Sequence, residues 1–512
     1  MILRRSIALL ATGALAGCSL APHYDRPALG VPGTWKTAPG WQMASPADDQ
    51  PRADWWTGFA DPTLDDLVAR AVAHNQTLAQ AAATSRQARA ATREARAALF
   101  PTVTANGQVT HTYSGGNTAV VTGGTIASGS TGTGTGAGTT TSTGTTTGTI
   151  TTGGRTTTNY RVNLDAAWQP DLFGQLTNTT RNARLTEQAR LADLANARLA
   201  LEGELATDYL SLRAVDAQIA SLAATADAYQ RSLTIATNRY NAGIVARTDS
   251  YQAQSQLASA QSDLEGERRT RAQYEDAIAV LVGENPASFT LASMGPNWTP
   301  AVPAVPAIVP ATLVQRRPDV AAAERAVAAA NAEIGVQRAA FFPTVNLSAE
   351  GGFNNNALSG LFSSAASLWS LGAQVAQTLL DFGARRARVA QARAAYDAAV
   401  ANYRQVTLTA FQEVQDDLIA SQILARQEAY LRTASFAADK SEASLRDQYR
   451  AGIVVFTDVV SAQATALTAR RALIQAQLDR QTTAVALVQA LGGGWSASDL
   501  TNGAEAARAA RP

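Results

Sequence analysis

The chain has 512 residues and a net charge of +1 at pH 7, and only 16% of its residues are charged, against about a quarter in an average protein. Because a nucleic-acid-binding domain normally presents a strongly basic face, this balance argues against nucleic acid as a partner. The three histidines, His23, His74 and His111, are scattered along the chain, and neither a metal cluster nor an acid–base pair is predicted. We therefore expect neither enzyme activity nor a cofactor.

Residues 1–17 have the pattern of an export signal. Two arginines precede an apolar run that is too short to span a bilayer, and small residues follow it. Leu15-Ala16-Gly17-Cys18 resembles a bacterial lipobox, in which Cys18, the single cysteine, becomes the first mature residue and carries lipid. Several acyl chains, at about 0.8 kcal/mol per buried methylene, would hold the N-terminus in a membrane. Ser19 favours the outer membrane over the inner one; the alternative for Cys18 is a buried thiol.

The chain contains two copies of one pattern. Leu99 to Val103 (LFPTV) nearly recurs 242 residues later (343 minus 101) as FFPTV. Tyr240 to Val245 (YNAGIV) recurs 209 residues later (452 minus 243) as YRAGIV, and Phe173-Gly174 recurs at the same interval. The first copy is therefore longer by 33 residues (242 minus 209), and an uncharged Thr/Gly tract from Thr131 to Gly148 lies in the region of the surplus.

Domain boundaries follow from this repeat. The segments are a signal peptide (1–17), a lipidated extended N-terminal segment with an equatorial region (18–70), a first repeat (71–285), a Pro-rich linker (286–316), a second repeat (317–492) and a C-terminal tail (493–512). Each repeat has the predicted order helix, strand, loop, strand, very long helix, tight turn and long helix.

Alternation of apolar and polar residues predicts four strands. Their apolar faces take every second residue of Val103 to Tyr113, Tyr160 to Trp168, Val345 to Phe353 and Trp369 to Leu379. Each run is about ten residues long with aromatic residues near its ends, which is typical of a tilted membrane strand. A half-buried sheet of a soluble protein gives the same period, and alternation alone favours that alternative.

Two very long helices are the second signal. Residues 174–240 and 383–449 contain no proline and are dominated by strong helix formers. At 1.5 Å per residue each would reach about 100 Å, with apolar residues at heptad spacing. Gly243 and Gly452 suit the left-handed position after a helix end. Thr248-Asp249 and Thr457-Asp458 are the predicted N-caps of the helices that follow.

Four strands cannot close a barrel, because a membrane barrel needs at least eight and no open edge can be left in hydrocarbon. If these strands span a bilayer, the chain must form a dimer with eight strands or a trimer with twelve. The export signal, the lipobox and the lengths of strands and helices agree with one another. We therefore predict a mainly α protein with a membrane β-barrel rather than a soluble sheet.

Several segments carry a resemblance to a known family. They are Ala21 to Trp35 (APHYDRPALGVPGTW), Trp55-Trp56, Phe59 to Leu64, His74 to Leu78, Gln315 to Val320, Ala323 to Arg325, Ile334-Gly335, Phe342-Pro343 and Leu379 to Gly383. In order and spacing they are similar to the outer-membrane factor lipoproteins, the NodT-type branch of the TolC-like efflux channels. The similarity covers nearly the whole chain outside the Thr/Gly tract and the last dozen residues.

The resemblance implies a homotrimer with a twelve-stranded barrel in the bacterial outer membrane, continuous with an α-helical tunnel through the periplasm. It also implies docking to a periplasmic adaptor and to an inner-membrane pump of the resistance-nodulation-division type. The function implied is passive conduction of drugs or other toxic solutes to the outside. A lipid-anchored coiled-coil scaffold or adhesin is the alternative, which leaves the amphipathic strands and the repeat unexplained.

Within the resemblance, the two glycine turns are periplasmic tips where the tunnel narrows and the adaptor docks. Gly243, Gly452, Asp249 and Tyr240 are assigned to these tips. The alternative for Asp249 is that it only caps a helix, and this is the role we favour. The Thr/Gly tract is expected to form a mobile extracellular loop at the hairpin end remote from the helices, and disorder is the alternative.

Four residues match positions of the archetype's aperture. Asp458 matches an aspartate that lines it, and three copies would form a cation-attracting ring, although Asp458 as a mere helix cap is the alternative. Tyr449 matches a tyrosine of the closing network. Val454 and Ser461 stand where the archetype has an arginine and a second aspartate. Its ion-pair latch therefore does not carry over, and we expect apolar contacts to hold the aperture closed.

Overall fold

The computed structural model describes residues 19–30, 35, 54–115, 118–121, 148–151, 155–295, 298, 300–303, 316–493 and 495. The predicted signal peptide, Cys18, the Thr/Gly tract up to residue 147, residues 304–315 of the linker and the tail beyond residue 495 lie outside the described residues.

Helices form most of the described chain. They are α1 (Pro62–His74), α2 (Gln76–Ala97), α3 (Gln175–Asn241), α4 (Arg247–Leu281), α5 (Pro318–Ala339), α6 (Ala384–Arg450) and α7 (Phe456–Ala490). The strands are β1 (Thr102–Ser114), β2 (Thr118–Val121), β3 (Gly148–Thr151), β4 (Arg155–Trp168), β5 (Thr344–Asn355) and β6 (Ser367–Ala376). Among the described residues, no helix combines the length and the apolar character that crossing a membrane requires.

The chain divides into two compact units. One comprises residues 96–176 and 340–382 and holds the strands, and the other comprises residues 19–95, 177–339 and those from 383 onward and holds nearly all of the helical structure. Each unit therefore combines segments from the first and the second half of the sequence.

The strand unit contains an antiparallel four-stranded sheet in the order β1-β4-β5-β6. The four predicted strands are confirmed, but β6 ends at Ala376 rather than at Leu379. Gln377 has left the ladder, and its side-chain amide donates to the backbone carbonyl of Phe341 at 2.9 Å. The sequence did not predict β2 and β3, which pair with each other on either side of residues 122–147.

The register of the sheet brings the apolar positions of all four strands onto one face. In one row across the sheet, Val103 lies opposite Ala166, Ala166 opposite Ala349, and Ala349 opposite Leu371. Large side chains of this face are open to the surroundings, with Trp369 78% and Leu371 76% exposed. A half-buried soluble sheet covers its apolar face with the chain's own residues. Here the residues that the structure describes leave a continuous apolar face open.

The helices α3 and α6 have 67 residues each, so each is about 100 Å long at 1.5 Å per residue. Their predicted spans are confirmed to within one residue at either end. Such helices are longer than a single hydrophobic core requires. Several separate clusters are accordingly spread along them.

The largest cluster surrounds the middle of α3. Its buried members include Trp55, Trp56, Phe59, Leu64, Leu67, Leu201, Leu205, Tyr209, Leu212 and Ile278. It fixes α1 and the turn before it against α3 and α4. A second cluster joins α5 to the middle of α6 through Val320, Val327, Tyr403, Val414 and Leu418.

The N-terminal segment 19–24 lies along α5. The Ser19 hydroxyl donates to Oδ1 of Asn178 in the first turn of α3 at 3.0 Å. Arg338, near the end of α5, donates to the backbone carbonyl of Leu20 at 3.4 Å. Glu324 lies nearer the start of α5, and its carboxylate accepts a 2.6 Å hydrogen bond from the Tyr24 hydroxyl. Ser19 is therefore held at the end of α5 that leads into β5.

A buried ion network centres on Asp216 of α3, whose side chain is 1% exposed. Its carboxylate accepts hydrogen bonds from Arg213 at 3.1 Å and from Arg271 of α4 at 2.8 Å. The Ser293 hydroxyl (3.1 Å) and the Met294 backbone N–H (3.3 Å) complete the set. One carboxylate thus ties two helices and the start of the linker together.

Candidate functional site

The two turns that join the long helices to their successors have the same backbone. Gly243 and Gly452 have φ values of +70° and +76°, which a side chain would strain. Each glycine N–H binds the carbonyl three residues back, at 2.9 and 3.0 Å, and the following N–H binds the carbonyl five residues back at 2.9 Å in both turns. This is a Schellman motif, and it confirms the predicted role of both glycines in ending the helices.

The predicted N-caps are wrong. The helices α4 and α7 begin at Arg247 and Phe456, and the residue before each has extended backbone and makes no side-chain cap. The glycine turn delivers the chain into helical geometry earlier than predicted, so Thr248-Asp249 and Thr457-Asp458 lie inside the first turn. Their carboxylates still lie at the positive end of each helix dipole.

Tyr449 is the centre of the tip region, and its side chain is buried at 4% exposure. The Arg239 guanidinium lies over its ring, 4.6 Å from the centroid, and donates to its backbone carbonyl at 2.5 Å. The Tyr449 hydroxyl points to Oδ2 of Asp249 at 3.5 Å, the outer limit of a hydrogen bond. Arg239 and Asp249 belong to the first helix pair and Tyr449 to the second, so these contacts tie the two pairs together.

The environment of Tyr449 keeps its phenol protonated. Burial raises the pKa of the Tyr449 hydroxyl, and the charge of Asp249 raises it further, while Arg239 lowers it in part. At neutral pH the hydroxyl therefore remains a donor toward Asp249.

An apolar cluster lies beside this polar tie. The Phe456 ring lies 5.2 Å from that of Tyr449, and Val454 packs against the buried cluster that both rings share. Val454 therefore makes apolar contacts within the chain, while the role of such contacts in closing an aperture stays a prediction. Nearby, the hydroxyls of Thr237 and Ser250 lie 3.2 Å apart and add a second polar link at the first turn.

The remaining predicted tip residues lie at the surface. Asp458 and Ser461 are exposed, and the Ser461 hydroxyl donates to the carbonyl of Thr457 one turn earlier at 2.9 Å. Tyr240 is 38% exposed, with the Arg247 guanidinium 5.9 Å from its ring centroid. The exposed apolar side chains at the two turns are Ile244, Ile453 and Val455.

Sequence reasoning missed Arg239 and Phe456, whose side chains both lie against the Tyr449 ring. Both stand where the two repeats differ. The repeat interval of 209 residues places Gln448 at the position of Arg239, and Arg247 at the position of Phe456. A comparison of the two halves for differences, rather than for shared motifs, would have found them.

The polar face of the sheet carries a second cluster. Asn163, itself 8% exposed, donates to Asp165 at 2.8 Å and to Glu350 on the neighbouring strand at 3.1 Å. Arg161 pairs with Glu350, and Asn106 donates to Asp165 at 2.5 Å. Two carboxylates and one guanidinium therefore meet on this face, opposite the exposed apolar face.

Two carboxylates at repeat-related positions are partly buried in the long helices. Asp208 and Asp417 are 209 residues apart (417 minus 208), and each follows a glutamate by one helical turn. Burial, together with the charge of the preceding Glu204, raises the pKa of Asp208 to about 6. Burial and the charges of Glu413 and Asp416 raise the pKa of Asp417 to about 6.

The double variant Asp208→Asn with Asp417→Asn should be more thermally stable than the native protein at neutral pH. An aspartate in the unfolded chain loses its proton near 3.8, whereas these two keep theirs until about 6. The native protein therefore loses stability as the pH rises through that window, and the variant does not. The difference in melting temperature between the variant and the native protein should grow from about pH 4 to about pH 6 and stay constant at higher pH. The exposed Asp227→Asn serves as control, and a gain independent of pH would contradict the prediction.

The described residues thus combine a sheet with one open apolar face and two 67-residue helices, each followed through a glycine turn by a 35-residue helix. The chain belongs to the outer membrane efflux protein family, whose profile matches residues 67–284 and 309–493. It is accordingly an efflux channel protein of the outer membrane and not an enzyme.

Relatives match over almost their whole length. The chain is 32% identical over 501 residues to the solvent efflux pump outer membrane protein SrpC of Pseudomonas putida, covering 96% of this chain and 99% of the relative. It is 29% identical to the outer membrane protein OprJ of Pseudomonas aeruginosa, covering 95% of both chains. The solved outer-membrane channel OprN has the same fold, with a TM-score of 0.77, 27% identity, and coverage of 93% of this chain and 100% of that one.

Proposed function

We propose that three copies of the chain assemble into a passive export conduit, with twelve strands closing a barrel in the outer membrane and the long helices forming a tunnel below it. The observation that carries the proposal is the sheet. Its apolar positions align into one exposed face, yet its four strands leave two edges, β1 and β6. A trimer closes such a sheet and places the apolar face against lipid.

The N-terminal lipid is the second part of the proposal. Ser19, the residue after Cys18, is held between the first turn of α3 and the last turns of α5, which are the helix ends adjoining β4 and β5 in sequence. Lipid on Cys18 would therefore anchor the chain on the side where the strands enter the membrane. Mass spectrometry of the native protein and of Cys18→Ala tests this, since the acyl mass should vanish in the variant.

The glycine turns are proposed as the periplasmic tips that control entry. The contacts from Tyr449 to Arg239 and Asp249 hold the two helix pairs together. In a trimer, three such ties would keep the tunnel entrance narrow, and opening would require each to break. Exposed Asp458 would supply a ring of carboxylates at the aperture.

Partners are inferred from the tips and from the relatives. The exposed apolar and aromatic side chains at the turns, Tyr240, Ile244 and Ile453, offer a docking surface for a periplasmic adaptor. The name of SrpC describes the outer-membrane part of a solvent efflux pump. We propose that an inner-membrane pump of the resistance-nodulation-division type supplies the energy, and that drugs or other toxic solutes are the cargo.

Electrophoresis of the full-length lipoprotein with and without heating tests the assembly. A trimer band that collapses to the monomer on boiling supports the proposal. A protein that is monomeric in mild detergent, with no heat-sensitive oligomer, would instead fit a lipid-anchored coiled-coil scaffold.

The variant Asp458→Asn should lower the cation preference of the channel without changing its assembly. Three carboxylates leave the aperture, so the local attraction for cations weakens. The measurement is the reversal potential across a bilayer under a salt gradient, which should move toward that of a non-selective pore. Asp227→Asn, far from the turns along α3, should leave it unchanged, and an equal shift in both variants would refute the aperture role.

A further inference from the structure

The two halves of the sheet pair in the same register. Thr102 of β1 lies opposite Ala167 of β4, and Thr344 of β5 lies opposite Ala376 of β6. The two pairs are related by the repeat. Thr344 lies 242 residues after Thr102 (344 minus 102), and Ala376 lies 209 residues after Ala167 (376 minus 167). These intervals come from motifs near the strand ends, and they reproduce strand register to the residue.

Among the described strands, one pairing in the sheet has no repeat-related counterpart. This is the pairing of β4 with β5. The repeat counterpart of β4 is β6 and that of β5 is β1, so the corresponding pairing would join β6 to β1. These are the edge strands, each with a single paired neighbour in the described four-stranded sheet. An open edge in hydrocarbon is not tolerated. The repeat therefore indicates that β6 of one copy meets β1 of another.

The intervals also give the register of this contact. Ala166 of β4 lies opposite Ala349 of β5. The repeat counterpart of Ala166 is Val375 (166 plus 209), and that of Ala349 is Gly107 (349 minus 242). Val375 is therefore expected to lie opposite Gly107. The pairs that follow are Ala373 with Val109, Leu371 with His111, and Trp369 with Tyr113. All of these residues lie on the apolar faces of their strands, so the apolar face continues across the seam. A slip by one residue would set polar against apolar positions.

Two phenylalanines provide an independent observation. Phe173 and Phe342, at the ends of the β4–β5 pair, stack with ring centroids 4.8 Å apart. Their repeat counterparts are Phe382 and Phe100, which are 94% and 67% exposed. Phe382 also has a φ of +50°, an unusual backbone for a bulky residue and one found where surrounding contacts enforce it. Neither ring has an aromatic partner in the described part of the chain, and a second copy would supply one.

We propose that β6 of one copy pairs with β1 of the next in this register, with Phe382 stacked on Phe100 of the neighbour. The proposal rests on the assembly proposed above and adds which residues meet at the seam. It turns the internal repeat into the reason why identical chains can close a continuous sheet.

Disulfide crosslinking in the full-length lipoprotein tests the register, because the sequence contains only one cysteine, Cys18. The variant Ala373→Cys with Val109→Cys should give interchain disulfides on mild oxidation. Pairs that keep Ala373→Cys but use Gly107→Cys or His111→Cys should crosslink at least several-fold more slowly. Diagonal neighbours lie about 7–8 Å apart, beyond easy disulfide geometry.

The matched control is the variant Leu164→Cys with Gly351→Cys, the same pair within one chain. It should oxidise without forming dimers, which shows that the geometry permits a disulfide. Absence of interchain product while this control oxidises would overturn the proposal, as would faster crosslinking by a displaced pair. If the oligomer remains intact and a displaced pair reacts, only the register fails. If the protein is also monomeric, the proposed function fails with it.

The phenylalanine contact has its own readout. Phe382→Ala and Phe100→Ala should each lower the temperature at which the oligomer dissociates, and the double variant should lose little more than either single one. Phe173→Ala with Phe100→Ala is the control pair, whose effects should add. Additive effects for Phe382 and Phe100 would contradict the stacking.

Discussion

A channel carrying Arg239→Ala and Tyr449→Phe is expected to conduct several-fold more current than the native protein. Arg239→Ala removes the guanidinium that contacts the ring and the backbone carbonyl of Tyr449. Tyr449→Phe removes the hydroxyl that donates to Asp249. Hydrogen bonds to a charged group contribute about 1.5–3 kcal/mol and a cation–π contact up to about 2 kcal/mol. Since 1.4 kcal/mol is about a factor of ten in an equilibrium, loss of three such ties in a trimer should move the tips strongly toward the open state.

Single-channel recording measures this effect, and the repeat provides the control. Tyr240 is the counterpart of Tyr449 but is 38% exposed, and Arg231 is an exposed arginine on the same helix as Arg239. The variant Arg231→Ala with Tyr240→Phe should therefore conduct like the native protein. Equal conductance of all three proteins would show that the tie does not restrict the tunnel.

Replacing Asp216 by alanine is expected to cost about 3–5 kcal/mol of stability, because the buried Arg213 guanidinium loses its counter-charge, while Arg271 retains Glu275. Arg213 is 5% exposed and Arg271 18% exposed beside a carboxylate that is 1% exposed. The same change frees the Ser293 hydroxyl and the Met294 N–H, so the start of the linker should also become more sensitive to proteases.

The measurement is thermal unfolding followed by the loss of helical circular dichroism. Asp227→Ala, an exposed site further along α3, should stay within about 0.5 kcal/mol of the native protein. Asp216→Asn should fall between the two, since the amide oxygen still accepts hydrogen bonds but carries no charge. A melting temperature of Asp216→Ala equal to that of the control would contradict the network's structural role.

The long elements were predictable because each depends on local chemistry. Uninterrupted helix formers set α3 and α6 to within one residue, and strict alternation set the four strands of the sheet. Positive φ at Gly243 and Gly452 was predictable because few other residues adopt it. The pair β2 and β3 was missed because four-residue strands carry too little alternation to be seen.

The contacts of the site were less predictable because they join residues far apart in sequence. Arg239 meets the carbonyl of Tyr449 across 210 positions, and no local pattern marks that pair. Asp249 was favoured as a helix cap because an aspartate after a turn usually is one. The backbone leaving the turn instead starts the helix at Arg247, and this places Asp249 within reach of Tyr449.

The same limit applies to the buried charges. Asp216 receives Arg271 from 55 positions away and Ser293 from 77. Sequence periodicity predicts that a position faces inward, but not that a charge placed there meets its partners. The repeat-related Asp208 and Asp417 were likewise visible as residues, while their raised pKa values follow from burial.

Planar-bilayer recording of the purified lipoprotein tests the central claim most directly. The account predicts discrete conductance steps from the heat-sensitive oligomer, with no energy source added, and larger steps from Arg239→Ala with Tyr449→Phe. An oligomer that inserts into the bilayer yet gives no steps, in the native protein and in the tip variant alike, would contradict a conduit.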